Sequence, residues 1–296
     1  MPVSLTPRKR RKRSTALVTG GIAAALCWSL LGSAGPAAGE TEPKADAKPM
    51  EVLFEDQFDG AAGSAVDGSK WQLETGDNVH NQERQYYTGG TDNAALDGNG
   101  NLVITARKEN PGNYQCWYGT CDYTSARLNT SGKFSAQYGK VEARIKVPRG
   151  QGMWPAFWML GDRFSEIDWP YCGEIDIMEN VGFEPSTVHG TLHGPGYSGG
   201  EGIGSSYTLP DGQQFADDFH TFAIDWAPDK IEWSVDGNVF QTRTPADLNG
   251  KEWVYNQGFF MILNLAVGGL WPGDPDDSTP LPQELVVDYV RVSGSE

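Results

Sequence analysis

The run KVEARIKV, residues 140–147, alternates without a break. Val141, Ala143, Ile145 and Val147 fall on one side, and Lys140, Glu142, Arg144 and Lys146 on the other. Successive side chains of a β-strand point to opposite faces, whereas a helix repeats every 3.6 residues, so this run is a strand with one buried face. Working outward, the period stays two. IEWSVDGNVFQT (231–242) is two such runs joined through Asp236-Gly237, a dipeptide that suits a tight hairpin turn. FFMILNLAV (259–267) is apolar on both faces, as a central strand would be, and LVVDYVRV (285–292) closes the chain as another strand. The 37 glycines and 18 prolines punctuate short strands, and no long amphipathic helix intervenes. The expectation is an all-β fold, an antiparallel β-sandwich of the jelly-roll type, with a closed barrel as the alternative.

The 296 residues divide unevenly. RKRRKR (8–13), an apolar stretch over 15–31 and the small residues SAGPAAG (33–39) form the three regions of a signal peptide, so residues 1–39 are expected to be removed and the protein secreted. Gly20, Gly21 and Ser29 interrupt the apolar stretch, which argues against an uncleaved membrane anchor. ETEPKADAKP (40–49) reads as a linker, placed at 40–50, and residues 51–296 as one catalytic domain. Without the leader, 17 Lys and Arg stand against 39 Asp and Glu, a net charge of −22. That sign repels nucleic acid, anionic lipid and polyanionic glycans and leaves a neutral ligand, bound by a monomer. Cys116 and Cys121 bracket CWYGTC, which an oxidising compartment would close as a disulfide. Cys172 reads as a small buried hydrophobe.

The acids of GEIDIMEN (173–180) do not follow the period. Glu174 and Asp176 share a strand face, whereas Glu179 should face the other way. A β-bulge at Ile177-Met178 would restore Glu179 to the face of the first two. Like charges crowded on one face cost stability, so the arrangement calls for a function. A solvated edge, a calcium site and glycoside hydrolysis compete. Hydrolysis needs a carboxylate nucleophile and a protonated carboxylic acid flanking one bond, and these acids supply both. A second EID, at Glu166 to Asp168, precedes Trp169-Pro170 and reads as a loop without a role. Trp154 and Trp158 in GMWPAFWMLG share parity, and Trp271 sits in the Gly/Pro-rich GGLWPG, as aromatic platforms for sugar rings. HGTLHG (189–194) puts His189 and His193 on one face; His193 is taken as the ligand-facing one and His189 as structural.

Together LFEDQFDG (53–60), NQERQYYT (81–88), the long stretch 123–161, WPYCGEIDIMEN, VHGTLHG, AVGGLWPGDP and VDYVRV resemble glycoside hydrolase family 16, specifically its bacterial laminarinase-type members. The resemblance implies a concanavalin A-like jelly roll with an open cleft on the concave sheet and retaining endo-hydrolysis of β-1,3-glucan by double displacement. Within it Glu174 matches the nucleophile, Glu179 the general acid/base and Asp176 the assisting acid. Trp154, Trp158, His193 and Trp271 line the cleft, and Asn81 and Arg127 contact sugar. No catalytic cofactor is implied. A structural calcium ion is, with Asp288 and the carbonyls of Gln57 and Gly100 at the matching positions; Gln57 replaces an acid common there. Mixed-linkage β-1,3-1,4-glucan, a marine galactan, and glucan binding without catalysis are the alternative functions.

Overall fold

The computed structural model describes residues 50–294, so the expected signal segment and the linker as far as residue 49 lie outside the described residues. The strands, in chain order, are β1 (Glu51–Asp56), β2 (Gln72–Glu74), β3 (Gln85–Tyr87), β4 (Ala94–Leu96), β5 (Leu102–Ala106), β6 (Gln115–Cys116), β7 (Gly119–Thr120), β8 (Tyr123–Ser125), β9 (Arg127–Asn129) and β10 (Gly139–Lys146). They continue with β11 (Met153–Gly161), β12 (Glu174–Glu179), β13 (Thr187–His193), β14 (Ile203–Thr208), β15 (His220–Ala227), β16 (Lys230–Val235), β17 (Asn238–Arg243), β18 (Phe259–Val267) and β19 (Gln283–Gly294).

Two antiparallel sheets make the sandwich expected from the alternation. One runs β17-β16-β15-β10-β19-β5-β4, with β1 pairing the far end of β19; the other runs β14-β13-β12-β11-β18-β9-β2. Val141, Ala143 and Ile145 of β10 are fully buried between the sheets, as their parity requires. Across the gap stand Phe157 and Met159 of β11, Ile175 of β12, Leu192 of β13 and Met261, Leu263 and Leu265 of β18, all inside one apolar cluster. Filling a layer about 10 Å thick with interlocking side chains is what holds two sheets together. β16 and β17 are joined by Asp236 and Gly237 at φ 50° and 77°, the left-handed pair that a two-residue hairpin demands.

β18 is buried along its whole length. One face enters the sandwich. Phe260 and Ile262 on the other pack with Leu160 and Cys172 in a small second cluster. Part of the cover there comes from Cys172, in the connection between β11 and β12. On the same face the rows through Leu160, Trp158 and Ala156 carry the polar side chains of Glu174, Asp176, Glu179 and Asn264.

Candidate active site

The register on both sides of β12 shows the bulge. Glu174 pairs with Leu160 of β11 and Glu179 with Ala156, so five steps on β12 oppose four on β11. Against β13 the partners are His193 and His189, again four steps apart. Ile177 and Met178 both drop into the core, at 3 % and 0 % exposure, and Glu179 returns to the outer face. The bulge is pinned from beneath, because the indole of Trp233, fully buried on the opposite sheet, donates to the carbonyl of Asp176 at 2.8 Å. Gly190 of β13 makes room for that indole, since a Cβ there would lie 2.5 Å from Trp233 Cδ1.

The outer face is thereby organised in rows across the strands. One row reads Glu74, Arg127, Asn264, Ala156, Glu179 and His189; the next carries Trp158, Asp176 and Thr191, and a third Leu160, Glu174 and His193. Two adjoining hollows of about 640 and 720 Å³ share Asn81, Trp154, Trp169, Glu174 and Glu179. One groove therefore crosses the acids, with each half in the size range of ligand sites.

Each glutamate receives an indole N–H: Trp169 Nε1 donates to Glu174 Oε2 at 2.9 Å, and Trp154 Nε1 to Glu179 Oε1 at 3.0 Å. His193 lies below them, its Nε2 3.0 Å from Asp176 Oδ2 and 3.6 Å from Glu174 Oε1. The histidine contact is close but poorly aligned, and Asp176 Oδ2 and His193 Nδ1 have no hydrogen bond within the protein. Burial pushes Glu174, Asp176 and Glu179 each up to about 8; the charge of Asp176 adds to the rise at both glutamates, and His193 opposes it. With Asp176 buried and the two glutamates half-buried on one face, like charges disfavour full ionisation at neutral pH, so the cluster holds at least one proton and at least one site for a negative charge. That is the equipment of a general acid beside a nucleophile.

The other expected residues divide. Trp154 and Trp271 meet edge to face at 5.6 Å in the groove wall. Trp158 lies in the floor, but one ring face is covered by the Arg127 guanidinium at 4.7 Å and its Nε1 donates to Asn264 Oδ1. Arg127 in turn has its Nε 3.0 Å from Glu74 Oε2. Trp158 and Arg127 both line one hollow, where each is braced by its neighbours. Asn81 lines both hollows, with its amide donated to Glu83 Oε1 and its carbonyl accepting Leu270 N–H. His193 is nearly buried and serves the carboxyls, whereas His189 stands in the groove wall, 5.0 Å edge to face from Trp271 and hydrogen-bonded to Glu184. His193, expected to face the ligand, lines one of the hollows, and His189 lines it as well. The loop of the second EID also has a place: Asp168 lines the groove and Trp169 serves Glu174. WPYC directly before the acids was the available signal for Trp169.

Glu174, Asp176 and His193 bring three ligand atoms within 4.8 Å of one another, a donor set suited to a divalent cation, and no other such group occurs among the described residues. At the expected calcium position the Gln57 carbonyl does face Gly100, 3.6 Å from where a Cβ would stand. Asp288 is the extra residue where β19 slips against β10. Its Oδ2, however, is held by Arg144 at 2.6 Å, so the sole carboxylate of the set is already neutralised by a cation. These residues fit a calcium ion poorly.

The profile of glycosyl hydrolases family 16 matches residues 81–291. A beta-glucanase of Rhodothermus marinus is 42 % identical over 253 residues, which cover 82 % of this chain and 84 % of that protein. The laminarinase catalytic domain of Thermotoga maritima superposes with a TM-score of 0.77 at 47 % identity, over 84 % of this chain and 100 % of that one. An endo-beta-1,3-glucanase of Pyrococcus furiosus does so with a TM-score of 0.74 at 50 % identity, over 83 % and 96 %.

Proposed function

The chain belongs to glycosyl hydrolase family 16, and from that premise we propose that it is a secreted, retaining endo-glycosidase that cuts internal β-1,3 linkages of a neutral glucan such as laminarin. The observation that carries the reading is the bulge, which sets Glu174 and Glu179 on one groove face with an indole donor on each. Four strand steps between them span about 13 Å, a distance two glutamate side chains leaning together reduce to the ~5 Å of a retaining pair.

In the first step the Glu174 carboxylate forms a bond to the anomeric carbon while the bond to the leaving oxygen breaks, and the proton of Glu179 passes to that oxygen. In the second, Glu179, now ionised, takes a proton from water; the water oxygen bonds to the anomeric carbon and Glu174 leaves as carboxylate. Trp169 favours the anion on Glu174. Asp176, next to Glu174 on the same strand face, raises its pKa by its charge and shares the proton load. The chemistry needs two carboxyls and water, and no cofactor.

The β-1,3 preference is supported by the extra Met178 and by the activities for which the similar proteins are named. Secretion is supported by the pattern of residues 1–39 and by the Cys116–Cys121 disulfide. No helix among the described residues is long and apolar enough to cross a membrane.

Release of reducing ends from laminarin, lichenan and agarose tests the reading. The parent should shorten laminarin fastest, with the β-anomer formed first, and Glu174→Gln should abolish the activity. Faster cleavage of lichenan would make it a mixed-linkage enzyme, and binding of laminarin without shortening would make it a glucan-binding protein.

A further inference from the structure

The loop CWYGTC contributes no residue to the groove, yet its side chains are spent on the groove wall. β6 and β7 form a hairpin of two residue pairs, closed by the Cys116–Cys121 disulfide, with Trp117 and Tyr118 at its tip. So short a hairpin does not hold its shape unaided.

Trp117 N–H donates to Asp77 Oδ2 at 2.6 Å, and its indole to the Glu83 carbonyl at 2.8 Å. The Tyr118 hydroxyl donates to the Arg84 carbonyl at 2.6 Å, and the Arg84 guanidinium lies over the Tyr118 ring at 4.1 Å. Asp77, Asn78, His80, Asn81 and Glu83 between these anchors line the groove. Inside the segment the buried Glu83 carboxylate accepts from Asn78, Asn81, Gln85 and Tyr87, which makes residues 78–87 one hydrogen-bonded body. Its far side holds the next wall element: Asn81 accepts Leu270 N–H at 2.9 Å, Arg84 donates its N–H to Val267, and the Arg84 side chain reaches Asp274. The order disulfide loop, segment 77–84, segment 267–274 ends at Trp271, which faces His189 and Trp154 beside the acids.

We propose that the disulfide loop is a clasp that positions this wall, so that the oxidised Cys116–Cys121 pair sets the affinity for glucan while leaving bond cleavage to residues it does not touch. The proposal rests on the glucanase reading. The clasp residues are positioning residues, since none of residues 116–121 lines the groove.

Two variants test it at 25 °C on laminarin: the pair Cys116→Ser with Cys121→Ser, and Trp117→Phe, which keeps the disulfide and removes the indole donor to Glu83. Both should raise KM about three- to tenfold, the equivalent of one wall-to-sugar hydrogen bond, with kcat within twofold. Laminarin Kd by affinity electrophoresis should shift by the same factor. A lowered Tm with unchanged KM and Kd would mean that the disulfide only stabilises the fold, and a fall in kcat at constant KM would also overturn the proposal. Cleavage by the parent in the same assay tests the glucanase reading separately. Should the parent bind laminarin without cutting it, the Kd shift alone decides for or against the clasp.

Discussion

Deleting Met178 tests the register argument directly. With the extra residue gone, four steps of β12 oppose the four of β11 and of β13, and Glu179 still faces the groove opposite Ala156 and His189. Ile177 takes the place opposite Phe157 that Met178 fills now. The loss is one fully buried side chain, about 2 kcal/mol of burial. In a domain of this size that lowers Tm by about 4–8 °C. The carboxyls move by the local relaxation of one strand, and a displacement on the order of 1 Å costs about a hundredfold in rate. The deletion should therefore fold, melt somewhat earlier, and keep about a hundredth or more of the parent kcat/KM on laminarin, measured by reducing ends alongside a thermal melt. Glu174→Gln is the reference for complete loss. A deletion variant that melts cooperatively but is as inactive as that reference would refute the idea that the extra residue serves only to restore the face of Glu179.

Two further outcomes follow from the carboxyl cluster. Its members bind protons more tightly folded than unfolded, so between about pH 4.5, the ordinary glutamate value, and about pH 8 ionisation weakens the native state. Glu179→Gln should therefore melt above the parent at pH 8, by about 1–3 kcal/mol, with the gain vanishing near pH 4; equal melts at pH 8 would remove the cluster as a source of strain. Trp169→Phe takes the indole N–H from Glu174 and raises its pKa further, so the acid limb of the pH–kcat/KM profile should move to higher pH with a rate loss of about fivefold. An unmoved limb would show that Trp169 is only a wall.

The strands were legible because alternation is a local property. Val141 to Val147 reveal their face with no knowledge of what lies opposite, and the mismatch at Glu179 reveals the bulge because parity is counted along one strand. The partners of those side chains are set by sheet order, which brings together residues far apart in the chain. Trp233 reaches the bulge across 57 positions and Trp158 meets Asn264 across 106. Composition contains no trace of such pairings. This is why His189 and His193, identical in residue type and parity, could be assigned only from their surroundings: one lies under the acids and the other stands against Trp271. It is also why the loop of Trp169 looked idle, because a loop without a period gives no direction to its side chains.

By itself, then, the order of residues determined the fold class, the acid triad and the need for an irregularity at Ile177-Met178, all of which follow from counting steps along a strand. The tertiary structure alone decided which groups donate to each carboxyl, that Arg127 covers Trp158, that Arg144 occupies Asp288 and that a remote disulfide loop braces the groove wall. The physical reason is range: side-chain alternation is settled between neighbours in the chain, whereas hydrogen bonds and burial depend on distances that exist only once the sheets have stacked.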